Sequence, residues 1–313
     1  MSSRGQFNFV WLFAIIAGGA ILFLAIYGAM QFSDTAQYQS DTEIAKSISI
    51  LTDPLQAGFS EGSTGRIEFR EETRINNFCY DDGFGRNDIS VASRPDADED
   101  WNLAGGATSI HNKYIFSAER SDGLDYYVFS KPFEFPYKVA DLIFLTSDSY
   151  CFANAPDEIV DEVINMNLPN VEAGNCTGKE NVRVCFGFGN DCDMTVYGTC
   201  GSGCDSSYDT GKVERGGAET HFVGNLMWAA IFSDRVVYEC NVKRLLYRTG
   251  IIAVELMGKV DLMDARGCDS NLKPSLSVWA SATGNASSRD LSGLNMAAKS
   301  IDVKNDKELC GVW

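Results

Sequence analysis

The chain is short of the residues that most enzymes use to move protons and hold metals. It has two histidines in 313 residues, His111 and His221, and neither has a metal-ligating neighbour at helical spacing. No phosphate-cradling glycine loop is present. Gly201-Ser202-Gly203 sits between two cysteines in a glycine-rich stretch, without the strand–turn–helix setting a nucleophilic serine requires. Basic residues are scarce too: 26 Lys and Arg stand against 43 Asp and Glu, a net charge of −17. Such a surface repels phosphate backbones, so no nucleic-acid partner is expected. Carboxylates are so abundant that no pair stands out as a general acid and base. The expectation is a protein that is not an enzyme and has no cofactor. An extracellular hydrolase without a recognisable motif is the contrasting reading.

Charge is missing altogether from Phe9 to Met30, which are 22 residues without Asp, Glu, Lys, Arg or His. As a helix they would span roughly 33 Å, against a hydrocarbon core of about 30 Å. This predicts a transmembrane helix at 9–30. A cleaved secretory signal fits less well, because bulky Tyr27 stands two residues before Ala29, where a small residue is needed. Arg4 precedes the segment while Asp34, Asp41 and Glu43 follow it, which places the N-terminus in the cytoplasm and the rest outside the plasma membrane. The small pairs Ala14 with Gly18 and Ala25 with Ala29 would let another helix approach closely.

The cysteines agree with an exported location. There are ten, Cys79, Cys151, Cys176, Cys185, Cys192, Cys200, Cys204, Cys240, Cys268 and Cys310, and none lies in the apolar segment. An even number outside the cytosol reads as a disulfide framework. Zinc is the competing use of the cluster 176–204, but its spacings do not form paired two-residue-gap knuckles. Asp96-Ala97-Asp98-Glu99-Asp100 offers acids at the first, third and fifth places of a calcium loop. Trp101 and Ala107 stand where the turn Gly and the bidentate Glu belong, so a solvated acidic loop is expected, with an irregular Ca²⁺ site as the alternative. The triplets Asn175-Cys176-Thr177 and Asn285-Ala286-Ser287 are glycan acceptor patterns.

Patterning beyond the apolar segment predicts an α+β protein. Ile44, Ile48 and Leu51 continue a helical stalk over 31–54, with a stop at Asp53-Pro54. Residues 55–234 read as an acidic, β-rich ectodomain. Strands are expected at 66–70, 75–80, 88–92 and 142–146, with hairpins pairing 113–118 with 125–130 and 182–188 with 194–197. A helix follows Pro156, and 199–219 reads as a loop. Charge then changes character: residues 31–234 hold 34 acids and 14 bases, whereas 235–313 hold 9 and 11. This second module is expected to be a helical hairpin of Arg235–Met263 and Arg289–Asp306. The first helix carries a stripe at Val242, Leu245, Thr249, Ile252, Leu256 and Val260. Antiparallel packing in that hairpin would bring Cys240 to Cys310.

The N-terminus, MSSRGQFNFVW, resembles the start of archaeal type IV pilin-like envelope proteins. Arg4-Gly5-Gln6 matches their leader junction, a basic residue and Gly before the cut. The resemblance implies residues 1–8 as a leader or short cytoplasmic end, cleavage between Gly5 and Gln6, and a long N-terminal helix bearing a disulfide-bonded head. No Glu follows the implied cut, and the head is larger than is usual for the family. The expected function is a single-pass, membrane-anchored cell-surface protein with a structural or binding role, a pilin-like subunit in its most specific form. Its expected partners are the membrane, further copies and other envelope proteins.

Overall fold

In the computed structural model the described residues are 9–51, 64–95, 100–174, 176, 182–189, 191–199 and 208–313. The first element, α1 (Phe9–Leu51), is one unbroken helix of 43 residues, about 65 Å long. The expected stop at Asp53-Pro54 lies outside the described residues. Among the described residues no helix is long and apolar enough to cross a membrane, which overturns the transmembrane helix expected at 9–30. The stalk is not a separate element either, since the same helix continues into it without a break.

Two six-stranded sheets form the body. The first comprises β1 (Thr64–Tyr80), β2 (Arg86–Arg94), β3 (Thr108–His111), β4 (Tyr114–Phe116), β5 (Arg120–Glu134) and β6 (Lys138–Thr146), in the order β3-β2-β1-β5-β6-β4. The two strands expected at 66–70 and 75–80 are one 17-residue strand, whose pairing with β5 shifts register between Glu68 and Thr73. The hairpin expected across 121–123 does not form. Those residues lie inside β5, because Asp122 grips Arg74 of β1 through two hydrogen bonds of 2.7 Å and Gly123 packs on Ser147. β4 instead pairs in parallel with β6.

The alternation along these strands sorts the core. Phe116, Phe129, Leu142 and Phe144 face one side, while Ile115, Val128, Ile143 and Leu145 face the other. Ala45 and Ile48 of α1 cover the second face. The first face packs against the second sheet and the remaining helices.

That second sheet has the order β12-β11-β10-β9-β7-β8. Its strands are β7 (Tyr150–Ala153), β8 (Val171–Ala173), β9 (Val182–Phe186), β10 (Met194–Thr199), β11 (Thr210–Arg215) and β12 (Ala218–Val223). Between β7 and β8 lies α2 (Asp157–Met166), begun after Pro156 with two acids in its first turn and ended by Asn167 at φ 48°. β9 and β10 run parallel rather than as the expected hairpin. The stretch expected to be a loop at 199–219 contains a β-hairpin, β11–β12. Its turn is Gly216-Gly217 at φ 57° and 80°, the left-handed geometry that a two-residue turn needs.

α3 (Leu226–Phe232) is buried along its whole length. Then come α4 (Arg235–Asp264), α5 (Lys273–Thr283) and α6 (Leu291–Lys307), the last preceded by a capping box between Ser287 and Asp290. The C-terminal part is therefore three helices, not a hairpin of two. The helix packed along α4 is α5, and Gly250 makes this close approach possible: a Cβ there would stand 3.1 Å from the Ala280 carbonyl oxygen. The core runs unbroken across the charge step at 234, with the Phe116 ring tilted against that of Tyr238 at 6.1 Å.

Among the described residues four disulfides join Cys79 to Cys240, Cys151 to Cys176, Cys185 to Cys192 and Cys268 to Cys310. The expected bond between Cys240 and Cys310 is absent. Cys240 faces β1 instead, and Cys268, just past the end of α4, takes Cys310. Cys200 and Cys204 lie outside the described residues.

Candidate functional site

Among the described residues of α1, those buried against the body lie near its C-terminal end, and that contact is built from few residues. Asp41, Ala45 and Ile48 are buried at spacings of four and three. The Asp41 carboxylate accepts the Ser93 hydroxyl at 3.1 and 3.2 Å, and Thr42 Oγ1 accepts the Gly106 N–H at 2.8 Å. Gly105 is needed beneath the helix, since a Cβ there would meet the Asp41 backbone at 2.9 Å. The strap 100–106 is held in turn by Trp101, whose ring lies 3.9 Å from the Arg74 guanidinium carbon and 4.8 Å from that of Arg94. Burial raises the Asp41 pKa, Ser93 opposes the rise by hydrogen bonding, and nearby Glu71 adds to it.

The N-terminal half of α1 is a different surface. Phe13, Ile15, Ile16, Ile21, Leu22, Phe23, Leu24, Ile26 and Tyr27 are all exposed, at 49–69 %. A Cβ added at Gly18 or Gly19 would meet nothing within 4 Å. An uncharged helix that stands clear of its own body over this length is unusual for a monomer.

Two concave surfaces lie on the helical side. One is a cleft of about 340 Å³ between the β5–β6 turn, with Pro132–Pro136, and α6, with Asn295, Lys299 and Asp302. Asp209 closes it by pairing with Lys299 at 2.5 Å. The other is a groove of about 380 Å³ between α5 and α6, lined by Pro274, Ser275, Val278, Trp279, Ala282, Ala297, Ser300 and Ile301. None of these eight residues is charged.

The interior holds one group that sequence reasoning missed. Arg244 is completely buried and its hydrogen-bond acceptors are neutral: the Phe84 carbonyl at 2.9 Å, Asn87 Oδ1 at 2.5 Å, Asn241 Oδ1 at 2.6 Å and the Lys113 carbonyl at 2.9 Å. Its guanidinium also lies 4.8 Å from the Tyr114 ring and 4.0 Å from Cys79 Sγ. Burial pushes its pKa down to about 10, which still leaves it charged at neutral pH. The arrangement pins α4 to β1 and β2 and to the turn before β4, so its role is structural. Asn241 and Arg244 stand at helical spacing beside buried Val237 and Leu245, and polar residues on an apolar stripe are the signal that would have found them.

Several expected site residues are placed outside the described part: Gly5, Gln6, Asn175, and Asp96, Asp98 and Glu99 of the acidic loop. Asn285 is described and exposed after α5, while its triplet partner Ser287 donates to Asp290 Oδ2 at 2.8 Å. His111 and His221 lie on the edge strands β3 and β12 of different sheets. No group of three or more His, Cys, Asp or Glu able to hold a metal occurs among the described residues. The chain matches no protein-family model, no curated protein and no solved structure.

Proposed function

We propose that this chain is an exported, disulfide-stapled subunit with a structural role, which associates with further copies of itself through the N-terminal half of α1. The observation that carries this reading is the exposed, uncharged surface of α1 between Phe13 and Tyr27, beyond the end of the helix that docks on the body through Ala45 and Ile48. Disulfides at four positions favour an oxidising compartment. A long N-terminal helix on a disulfide-bonded head is also the layout implied by the pilin-like leader, in which the Gly5–Gln6 bond is cut and the helix becomes the new N-terminus. Burying several large apolar side chains between copies would contribute roughly 1.5–3 kcal/mol for each one fully covered.

Sedimentation velocity on the native chain tests the reading. Wild-type protein should sediment as an oligomer at micromolar concentration and begin at Gln6 on N-terminal sequencing. Leu22→Glu, at a position exposed to 63 % and therefore harmless to the head, should sediment as a monomer. Identical, monomeric behaviour of both chains would defeat the proposal.

A further inference from the structure

Self-association through α1 leaves open which surface of the neighbouring copy receives it. The geometry points to the groove between α5 and α6, and we propose that the apolar half of α1 from one copy seats there on the next; this inference rests on the self-association reading above. Three observations converge on it.

The first is chemical. Copies that each carry a net charge of −17 repel one another, so contact is cheapest where both faces are uncharged. The run 15–27 of α1 has no charge, and neither has the groove. Val278, exposed to 71 %, offers an apolar wall, while Ala282, Ala297 and Ser300 are low enough for a helix to lie close. On the donor side Gly18 and Gly19 keep the helix slim.

The second is dimensional. Pro274 to Ala282 spans about 12 Å along α5, and the run 15–27 is about 18 Å from end to end. An amphipathic or apolar helix in a groove between two helices is a recurring mode of recognition.

The third excludes the chain's own helix. α1 is docked on the aliphatic face of the first sheet, with Ile115, Val128, Ile143 and Leu145. Trp279 and Ile301 in the groove belong to the core on the opposite, aromatic face. The sheet therefore stands between α1 and the groove of the same chain. From Asp41 back to Tyr27 the helix spans about 21 Å. The occupant must come from another copy. Because donor and acceptor are different surfaces, the contact is heterologous, and repetition gives a ring or an open fibre rather than a closed pair.

The test places a photo-crosslinking amino acid at position 278 of the full chain and mixes isotopically light and heavy copies. Crosslinks from 278 to the peptide 13–27 of a differently labelled copy are expected. In parallel Val278→Asp should weaken self-association at least tenfold with no change in the unfolding midpoint, since the side chain is exposed. If the wild-type chain associates but 278 crosslinks elsewhere, to added phospholipid vesicles or to nothing, the groove assignment is wrong and the broader reading stands. If the wild-type chain does not associate at all, both are wrong.

Discussion

Removing the bond between Cys79 and Cys240 should cost more stability than removing any of the other three described disulfides. The magnitude follows from the stretch of chain that each bond closes in the unfolded state. Cys79 and Cys240 are 161 residues apart, against 42 for Cys268–Cys310, 25 for Cys151–Cys176 and 7 for Cys185–Cys192. Loop-closure entropy puts the longest at about 5 kcal/mol, the two intermediate bonds at about 3.5–4, and the shortest at about 2.5. Packing adds to the difference, because Cys79 Sγ lies 3.5 Å from Asn241 Oδ1 and 4.0 Å from Arg244 Nη1, so its loss also loosens the polar knot under α4. The assay is guanidinium unfolding of Cys79→Ala/Cys240→Ala and Cys185→Ala/Cys192→Ala double variants, each pair replaced together so that no unpaired thiol remains. The first should unfold at clearly lower denaturant, with about twice the free-energy loss of the second. Equal losses, or a larger loss from the short loop, would refute the entropic argument for this chain.

Arg244→Met should destabilise by about 3 kcal/mol or more, because the side-chain oxygens of Asn87 and Asn241 and the Lys113 carbonyl lose their donor inside the core; denaturant titration measures it. The docking of α1 should weaken as pH rises. The folded pKa of Asp41 is raised above its ordinary value of 3.8, so its contribution is full below that value and is lost as pH climbs through the raised one. Hydrogen exchange at residues 41–48, corrected for intrinsic rates, should quicken from acidic to neutral pH in the wild type. In Asp41→Asn it should stay flat.

Elements with a strong period were legible in the sequence. The stripe through Val242, Leu245, Thr249 and Val260 located α4, and the unbroken apolar run 142–146 located β6, because each pattern has one structural solution. Pairing was less legible than strand position. Two strands eight residues apart read as antiparallel by default, yet β9 and β10 run in parallel, with Cys185–Cys192 linking β9 to the stretch before β10. Ser121-Asp122-Gly123 carries turn chemistry, yet an ion pair to Arg74 across the sheet keeps it extended. β11 and β12 are hard to see because glycine suggests a loop, whereas Gly216 and Gly217 are only the turn between two strands. α5 was missed because Leu276 and Trp279 are its few large buried residues among Ser, Ala and Thr. The docking carboxylate Asp41 was invisible as such, because a single acid on a helix gives no hint of the strap that will bury it.

The division of labour along β6 has a consequence for how errors in this protein would show themselves. Its odd and even positions serve two interiors of different texture: Leu142 and Phe144 meet rings, whereas Ile143 and Leu145 meet the branched aliphatics under α1. A slip of one residue in that strand would exchange the two sets. Phenylalanine would be forced against Ala45 and Ile48, and isoleucine would leave voids beside Phe129 and Phe232. The strand thus checks its own alignment from both sides at once. Only a shift of two would restore the pattern, and that would pull Ser147 away from the Asp122 carbonyl and the Ser121 hydroxyl. Correct threading of the sheet and correct seating of α1 are therefore one event, settled in the middle of the molecule rather than at the helix.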